Sequence, residues 1–376
     1  MPALLEIDDA ALRGPVSTAL GSASVRLLGW RREAIHIAFN QTTGGLYRVT
    51  GEASGIRGPV KWSLILKVVH ASDDPFGGND DPLHPNYWLR ELLVYESGLL
   101  DQLPGIRAPR CFAVDRLDGA TAWIWLEDVT DPVGSHWPAA RYRLAARRLG
   151  EFNGAYLTGR PLPVGDHLSR QWLRKFVDDF APAFARLSGV RDHPLVQRCW
   201  PGGQLQRVHR LWAERETFLD ALERLPQTFC HLDAFPRNLM IPDGDREVVA
   251  LDWSYAGMGA VGSELASMAA ASACFYDLDP TQLRSIDQLV FSSYVQGLRA
   301  VGWSGPPEMV RLGHTAAASL HYALFPMGVY LLDDVLRARF EHVFGHSAID
   351  IVDRWAEVTG FLLDRADEAR GLLRRV

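Results

Sequence analysis

Cysteine is scarce in this chain of 376 residues. Cys111, Cys199, Cys230 and Cys274 are scattered and no C-x-x-C occurs. That pattern excludes a disulfide-stapled secreted scaffold and a thiolate zinc site, and it fits a reduced cytoplasm. Cys230 stands beside His231, but two adjacent metal-ligand types without a second pair read as structural. No apolar run approaches the roughly 20 residues that a membrane helix needs. Positive charge is not in excess either: 39 Lys and Arg stand against 45 Asp and Glu, a formal net charge of −6. Nothing in that balance favours nucleic acid or an anionic membrane as partner. Glu6, Asp8 and Asp9 precede any basic residue, which is unlike a secretory leader. Internal repeats and low-complexity segments are missing, so solenoids and linker-like chains are excluded as well.

What remains is ordinary globular material, 47% apolar and 22% charged, with twelve Trp available for cores and pockets. The length suits two domains or one two-lobed one. The first third reads as strands: Ala34 to Phe39, Leu46 to Thr50, Lys61 to Val69, Cys111 to Val114 and Ala122 to Leu126. Asn40 to Gly45 reads as a tight polar loop, and Asp73 to Pro85, rich in Asp, Gly and Pro, as a mobile connection. Trp88, Leu92, Tyr95 and Leu99 recur at helical spacing. From about Pro132 the character turns helical, with one stripe at Ala145, Leu149, Phe152 and Tyr156. Another runs through Leu332, Val335, Leu336, Phe340 and Val343.

The richest stretch is His231 to Trp253. His231, Asp233 and Asn238 precede the apolar run Leu239 to Ile241; Pro242, Asp243 and Gly244 signal a turn; Val248 to Leu251 then leads into Asp252. Two short strands across a turn pair antiparallel, so the start of the first lies beside the end of the second. Asn238 and Asp252 therefore meet at one end, with Asp233 close by. Hard oxygen donors of this kind suit Mg²⁺, which takes one or two carboxylates and fills its shell with water and phosphate.

His-x-Asp-x4-Asn followed by a second Asp after a strand resembles the protein-kinase catalytic loop and metal site. The exit is Ala-Leu-Asp-Trp and not Asp-Phe-Gly, which is similar to the aminoglycoside phosphotransferase and choline kinase superfamily. The resemblance covers roughly Ala34 to Ala266. It implies an α+β, protein-kinase-like fold, with a nucleotide-binding lobe at 1–129 and a helical lobe at 130–376 holding the catalytic loop and acceptor pocket. It implies an ATP- and Mg²⁺-dependent transfer of the γ-phosphoryl group to a hydroxyl of a small molecule. Asp233 would be the base, Asn238 and Asp252 the metal ligands, and His231 a residue that ties the loop to the Asp252 segment. Lys67, alone in the apolar strand Leu64 to Val69, would grip the nucleotide phosphates.

The acid that orients Lys67 is Glu91 or Glu96. Helical spacing does not separate them; the resemblance favours Glu91, which follows Arg90 and precedes Tyr95 by four. Gly44 and Gly45 would let a loop approach the phosphates, though the loop is not G-x-G-x-x-G. Backbone groups of Glu127 and Val129 would meet the adenine. Ser263-Glu264-Leu265-Ala266 departs from an Asp-Leu-Ala that usually anchors the catalytic loop, which puts the anchoring geometry in question. Arg237 reads as a solvated loop cation. For the acceptor, a cationic substrate would call for acids, with Asp178, Asp179, Asp333, Asp334, Glu341, Asp350 and Asp353 to choose from. Asp333 borders the late helical stripe and is the first choice among them. His314 and His321, seven apart on one helical face, read either as pocket partners of Tyr322 or, equally, as buried and satisfied core histidines. A sugar, choline-like or homoserine kinase and a pseudokinase without turnover stay open as alternatives, and the oligomeric state is open too.

Overall fold

Five antiparallel strands, β1 (Leu27–Ala34), β2 (Thr43–Gly55), β3 (Gly58–His70), β4 (Cys111–Arg116) and β5 (Thr121–Glu127), form one sheet in the order β1-β2-β3-β5-β4. The computed structural model describes residues 7–22, 25–35, 42–55, 58–72, 74, 76–242 and 247–375. Strand alternation gives the sheet two different faces. Trp62, Leu64 and Leu66 of β3, with Trp123 and Trp125 of β5, bury against Leu12 and Val16 of α1 (Asp9–Leu20). Lys67 and Ile65 of β3, opposite Ile124 and Leu126 of β5, take the other face.

No periodic pattern in the sequence signals α1. Pro15 lies inside it and breaks the periodicity, while Asp8 caps it by accepting from the Ala11 N–H at 2.9 Å and Gly21 ends it at φ 60°. The first strand also differs from expectation. β1 ends at Ala34, where the expected strand begins, and residues 36–41, including most of that expected strand and Asn40 of the loop, lie outside the described residues.

Between β3 and α2 (Arg90–Glu96) the chain is tied down, in contrast to the mobile connection its composition suggests. The Trp88 indole donates to Asp80 at 2.6 Å, and Arg339 pairs with Asp74 at 2.7 Å. Buried Arg90 donates to the carbonyls of Pro82, His84 and Pro85 within this segment, at 2.7 to 3.1 Å. It also reaches His167 O at 3.0 Å and Ser254 O at 2.9 Å, far along the chain. Five carbonyls around one guanidinium order a stretch whose Gly and Pro content would otherwise leave it loose.

The remainder is mainly helical: α3 (Ala139–Leu157), α4 (Trp172–Asp178), α5 (Ala181–Val190), α6 (Pro194–Cys199), α7 (Gln204–Arg224), α8 (Ala266–Cys274), α9 (Leu283–Ala300), α10 (Pro307–Ala318), α11 (Met327–Tyr330), α12 (Asp334–Phe344) and α13 (Ala348–Leu373). Four short strands interrupt it, β6 (Gln227–Cys230) paired with β9 (Gly257–Ala260), and β7 (Leu239–Met240) paired with β8 (Val249–Ala250). The stripe Ala145, Leu149, Phe152 and Tyr156 of α3 is buried throughout. α3 and α9 cross at glycines: a Cβ on Gly150 would lie 2.2 Å from Tyr294 O, and one on Gly297 2.0 Å from Arg147 O. The expected late stripe is only partly apolar-facing, since Val335 is 71% exposed on α12 while Phe340 is buried. No described helix is long and apolar enough to cross a membrane.

Candidate active site

The loop from His231 to Asn238 leaves β6 and enters β7. In the β7–β8 ladder Leu239 faces Ala250, and the Leu251 N–H donates to Asn238 O at 2.8 Å. Asp252 follows at once, in the left-handed region at φ 58°. The Asn238 amide donates to Asp233 Oδ2 at 2.7 Å, so its own carbonyl oxygen stays free to accept or to ligate. Asp233, Asn238 and the Asp252 segment are thus brought to one end of the hairpin. Residues 243–246 of the turn lie outside the described residues.

His231 is fully buried. Its Nε2 lies 2.7 Å from Leu251 O, and its Nδ1 accepts from the Asp233 N–H at 3.2 Å. Those bonds require a neutral ring with the proton on Nε2, and burial pushes its pKa down to about 4. Such a ring fixes the loop to the strand before Asp252 and takes up no second proton, hence no charge, at neutral pH. Burial, with the nearby Asp252 charge, pushes Asp233 up to about 8.

Lys67 lies between two carboxylates of the cleft. Its Nζ is 2.5 Å from Glu91 Oε2 and 2.9 Å from Asp252 Oδ1. Burial alone would lower its pKa, yet the Asp252 and Glu91 carboxylates outweigh it and keep the ammonium charged. Asp252 is correspondingly held below the usual carboxylate range by Lys67, against the opposing effect of burial. Glu91 also accepts from the Trp253 N–H at 3.3 Å. Glu96 pairs instead with Arg116 at 2.5 Å on the surface side of α2.

The longer Glu264 side chain reaches the loop without difficulty. Its carboxylate accepts from the His231 N–H at 2.8 Å and the Leu232 N–H at 2.9 Å. Asn153 of α3 supports it, donating to Glu264 at 3.3 Å and to Phe229 O at 2.8 Å while accepting from Tyr294 Oη at 2.7 Å. Two further anchors had no local signal in the sequence. Asp131 accepts from the Ile241 N–H at 2.8 Å and pairs with Arg141 at 2.6 Å. Arg237, expected to be solvated, is held by Asp277 at 2.6 Å and by Phe275 O at 2.9 Å. Long-range partners of this kind become visible only once α3 and the 275–277 turn are packed beside the loop.

At the other end of the cleft, Gly44 and Gly45 are not in a loop. They belong to β2, beside a bulge between Thr43 and Gly45, and a Cβ on either would strike His70 or Tyr47 side chains at 2.7 and 2.5 Å. The pairing with Val68 and Val69 extends the strand further toward the turn than the polar composition indicated. Glu127 ends β5; its carboxylate binds Arg107 at 2.7 Å, and its carbonyl accepts from the Val129 N–H at 3.1 Å.

The acceptor candidates disperse. Asp333 is no pocket residue: it caps α12, accepting from the Val335 and Leu336 N–H groups at 3.0 Å. Asp334 pairs with Arg337, Glu341 accepts from the Ala348 N–H, Asp350 forms a capping box with Ser347, and Asp353 pairs with Arg198. His314 and His321 do not share a pocket. A π-helical turn at Ser319–Ala323 inserts extra residues per turn and rotates His321 away from the α10 face that carries His314. His314 lies 3.4 Å from Asp287, whereas His321 stacks on Tyr322 at 4.0 Å.

The donor set fits a divalent cation with phosphates in its shell: one free amide oxygen on Asn238 and a carboxylate on Asp252. Among the described residues no group of three or more His, Cys, Asp or Glu could hold a metal by itself.

The family model described as the phosphotransferase enzyme family matches residues 65–299, more than half of the chain, and the chain belongs to that family. Among solved structures, a choline kinase from Cryptosporidium parvum Iowa II matches at 13% identity over 91% of each chain, with a TM-score of 0.50. An aminoglycoside-3'-phosphotransferase of type VIII matches at 20% identity over 77% of this chain and 94% of its own, with a TM-score of 0.45. An amicoumacin kinase, solved with AMP-PNP, Ca²⁺ and its Ami ligand, matches at 12% identity over 85% and 88%, with a TM-score of 0.48. The fold is kinase-like, α+β and two-lobed. No curated protein matches the chain.

Proposed function

We propose that this protein transfers the γ-phosphoryl group of ATP to a hydroxyl of a small molecule, with residues 1–129 as the nucleotide lobe and 130–376 as the catalytic and acceptor lobe. The observation that carries the reading is the buried Lys67 ammonium, shared between Glu91 and Asp252 at 2.5 and 2.9 Å. That arrangement joins a phosphate-gripping cation to the segment that ends the catalytic hairpin. In this reading Lys67 meets the nucleotide phosphates, and the backbone of Glu127 and Val129 meets the base. Gly44 and Gly45 lie in the strand above the phosphates.

Asn238 and Asp252 would hold Mg²⁺, which when bound neutralises phosphate charge. Asp233 orients the acceptor hydroxyl and takes its proton as the oxygen bonds to the γ-phosphorus; the bond to the bridging oxygen breaks and ADP leaves with that electron pair. His231 keeps Asp233 in place through its Nδ1, which accepts from the Asp233 N–H. The remaining groups position the reactants, and positioning is most of what phosphoryl transfer requires.

Calorimetric titration with ATP and magnesium tests the reading. Saturable, magnesium-dependent binding that is lost in Lys67→Met is the expected result, because the substitution leaves the buried Glu91 and the partly exposed Asp252 carboxylates with no cation between them. A wild-type protein that takes up no nucleotide would sink it.

A further inference from the structure

The wall beside the catalytic loop is made of rings. Tyr330 and Phe325 lie 5.5 Å apart, Phe325 and Phe180 5.5 Å, Phe180 and Phe176 4.9 Å. Phe176 stacks on Trp172 at 4.8 Å and 14°, and Trp172 meets Tyr255 at 4.7 Å. These six rings come from α4, its junction with α5, α11 and the segments beside α11 and after Asp252. They form one continuous path. Four of them, Tyr330, Phe325, Phe176 and Tyr255, are only half-buried.

The path ends at the chemistry. Tyr255 is three residues after Asp252, and burial with the charges of Asp233 and Asp252 raises its hydroxyl well above the ordinary range. Leu232, the residue before Asp233, lines a cavity together with Trp172 and His321.

Fixed negative charge reaches only the two ends of this wall, from Asp179 at Tyr330 and from Asp233 and Asp252 at Tyr255. The half-exposed Asp179 carboxylate lies 3.7 Å from His84, whose pKa burial lowers, and Asp74 is paired with Arg339 at 2.7 Å. Asp178 falls about 200° around α4 from Phe176 and so leaves the ring face. His321 contacts Trp172 and Phe176 rings at 5.0 and 4.7 Å and is held neutral by burial. A polycation would need several carboxylates here to replace its hydration. A ring-bearing neutral molecule needs only apolar faces and a few polar atoms to orient it. One such atom is waiting: the Trp172 indole N–H is buried and has no acceptor among the described residues.

We propose that the acceptor is an alcohol on an uncharged, ring-bearing, largely apolar skeleton, seated along Tyr330, Phe325, Phe176, Trp172 and Tyr255 with its hydroxyl at Asp233. The proposal rests on the reading of Asp233 as the group that receives the hydroxyl proton. Oxygen or carbonyl groups on the skeleton would accept from the Trp172 N–H. The reaction is the one written above: the acceptor oxygen bonds to the γ-phosphorus, the bridging oxygen leaves on ADP, and the proton goes to Asp233.

Initial rates of ADP release with Mg²⁺ and ATP test this against two sets of alcohols. The first set is neutral and ring-bearing (chloramphenicol, 2-phenylethanol and a sugar-free macrolactone); the second is cationic (kanamycin and choline). Nucleotide binding is measured in parallel by calorimetry. The best neutral alcohol is expected to exceed both cations in kcat/KM by at least about tenfold, the scale of one well-made aromatic contact. Phe176→Ala should raise the acceptor KM by about tenfold with a smaller change in kcat, and Phe176→Leu should recover part of it while keeping the fold. Preference for kanamycin or choline overturns the inference and leaves the phosphotransferase reading standing, as does nucleotide binding with no neutral alcohol accepted. Failure to bind nucleotide overturns both.

Discussion

Glu264 is one methylene longer than the Asp that usually anchors such a loop, and it reaches two consecutive N–H groups, those of His231 and Leu232. The His231 donor is buried and the Leu232 donor partly so, and removing the carboxylate orphans the first at about 1–3 kcal/mol and the second at less. Glu264→Ala should therefore lower the urea midpoint clearly, whereas Glu264→Gln, which keeps one acceptor oxygen, should lose about half as much. Equal stability of Glu264→Ala and wild type would show that the loop holds itself. Single residues were also where the sequence was most and least legible. His231, Asp233, Asn238 and Asp252 could be placed together because a turn and two apolar runs fix their spacing. Arg237 could not be placed, because its partner Asp277 lies 40 positions away and only the folded turn at Tyr276 brings it near.

At the scale of elements, α3 and α9 approach so closely that backbone meets backbone. Gly297→Ala would set a methyl group 2.0 Å from Arg147 O and force the helices apart. Because α3 carries Asn153, and Asn153 supports Glu264 and β6, the strain reaches the catalytic loop. The substitution should cost about 1–3 kcal/mol in thermal unfolding, as overpacking does. An unchanged melting temperature would mean that the crossing is looser than it is described. Helices and strands with clean periodicity were readable: the α3 stripe is buried, and β3 and β5 fall where apolar alternation put them. Pro15 hides α1, and Gly44 and Gly45 read as a loop because composition cannot show that β3 extends beside them. The aromatic wall was illegible for a different reason. Its rings come from elements spread between Trp172 and Tyr330, each of which reads alone as ordinary core.

For the molecule as a whole, acid stability follows from buried neutral histidines. His321 is enclosed by Trp172, Phe176 and Tyr322, and burial depresses it to about 3. His314 is lowered to about 4, burial prevailing over Asp287 and Glu368, with Arg311 and Arg365 adding to it. Unfolded, both bind protons near pH 6.5, so the unfolded chain holds more protons in this window. Stability therefore falls as pH drops below about 6.5 and levels off only near the folded values. Between about pH 7 and about pH 5 the loss is about 1–2 kcal/mol per histidine. His321→Gln should flatten the pH dependence of the urea midpoint relative to wild type; an unaltered slope would contradict the burial argument.

The central claim is that one cleft, between the sheet and the helices, binds Mg²⁺–ATP through Lys67, Asn238 and Asp252 and activates an alcohol through Asp233. Separating these tasks by substitution tests it most directly. Nucleotide titration beside single-turnover transfer to an accepted alcohol should show Asp233→Ala slower by about 10²–10⁴-fold with nucleotide affinity nearly unchanged. Asp252→Ala should lose magnesium-dependent nucleotide binding along with transfer. If Asp233→Ala transfers phosphate at the wild-type rate, Asp233 is not the base and the account of the cleft is wrong.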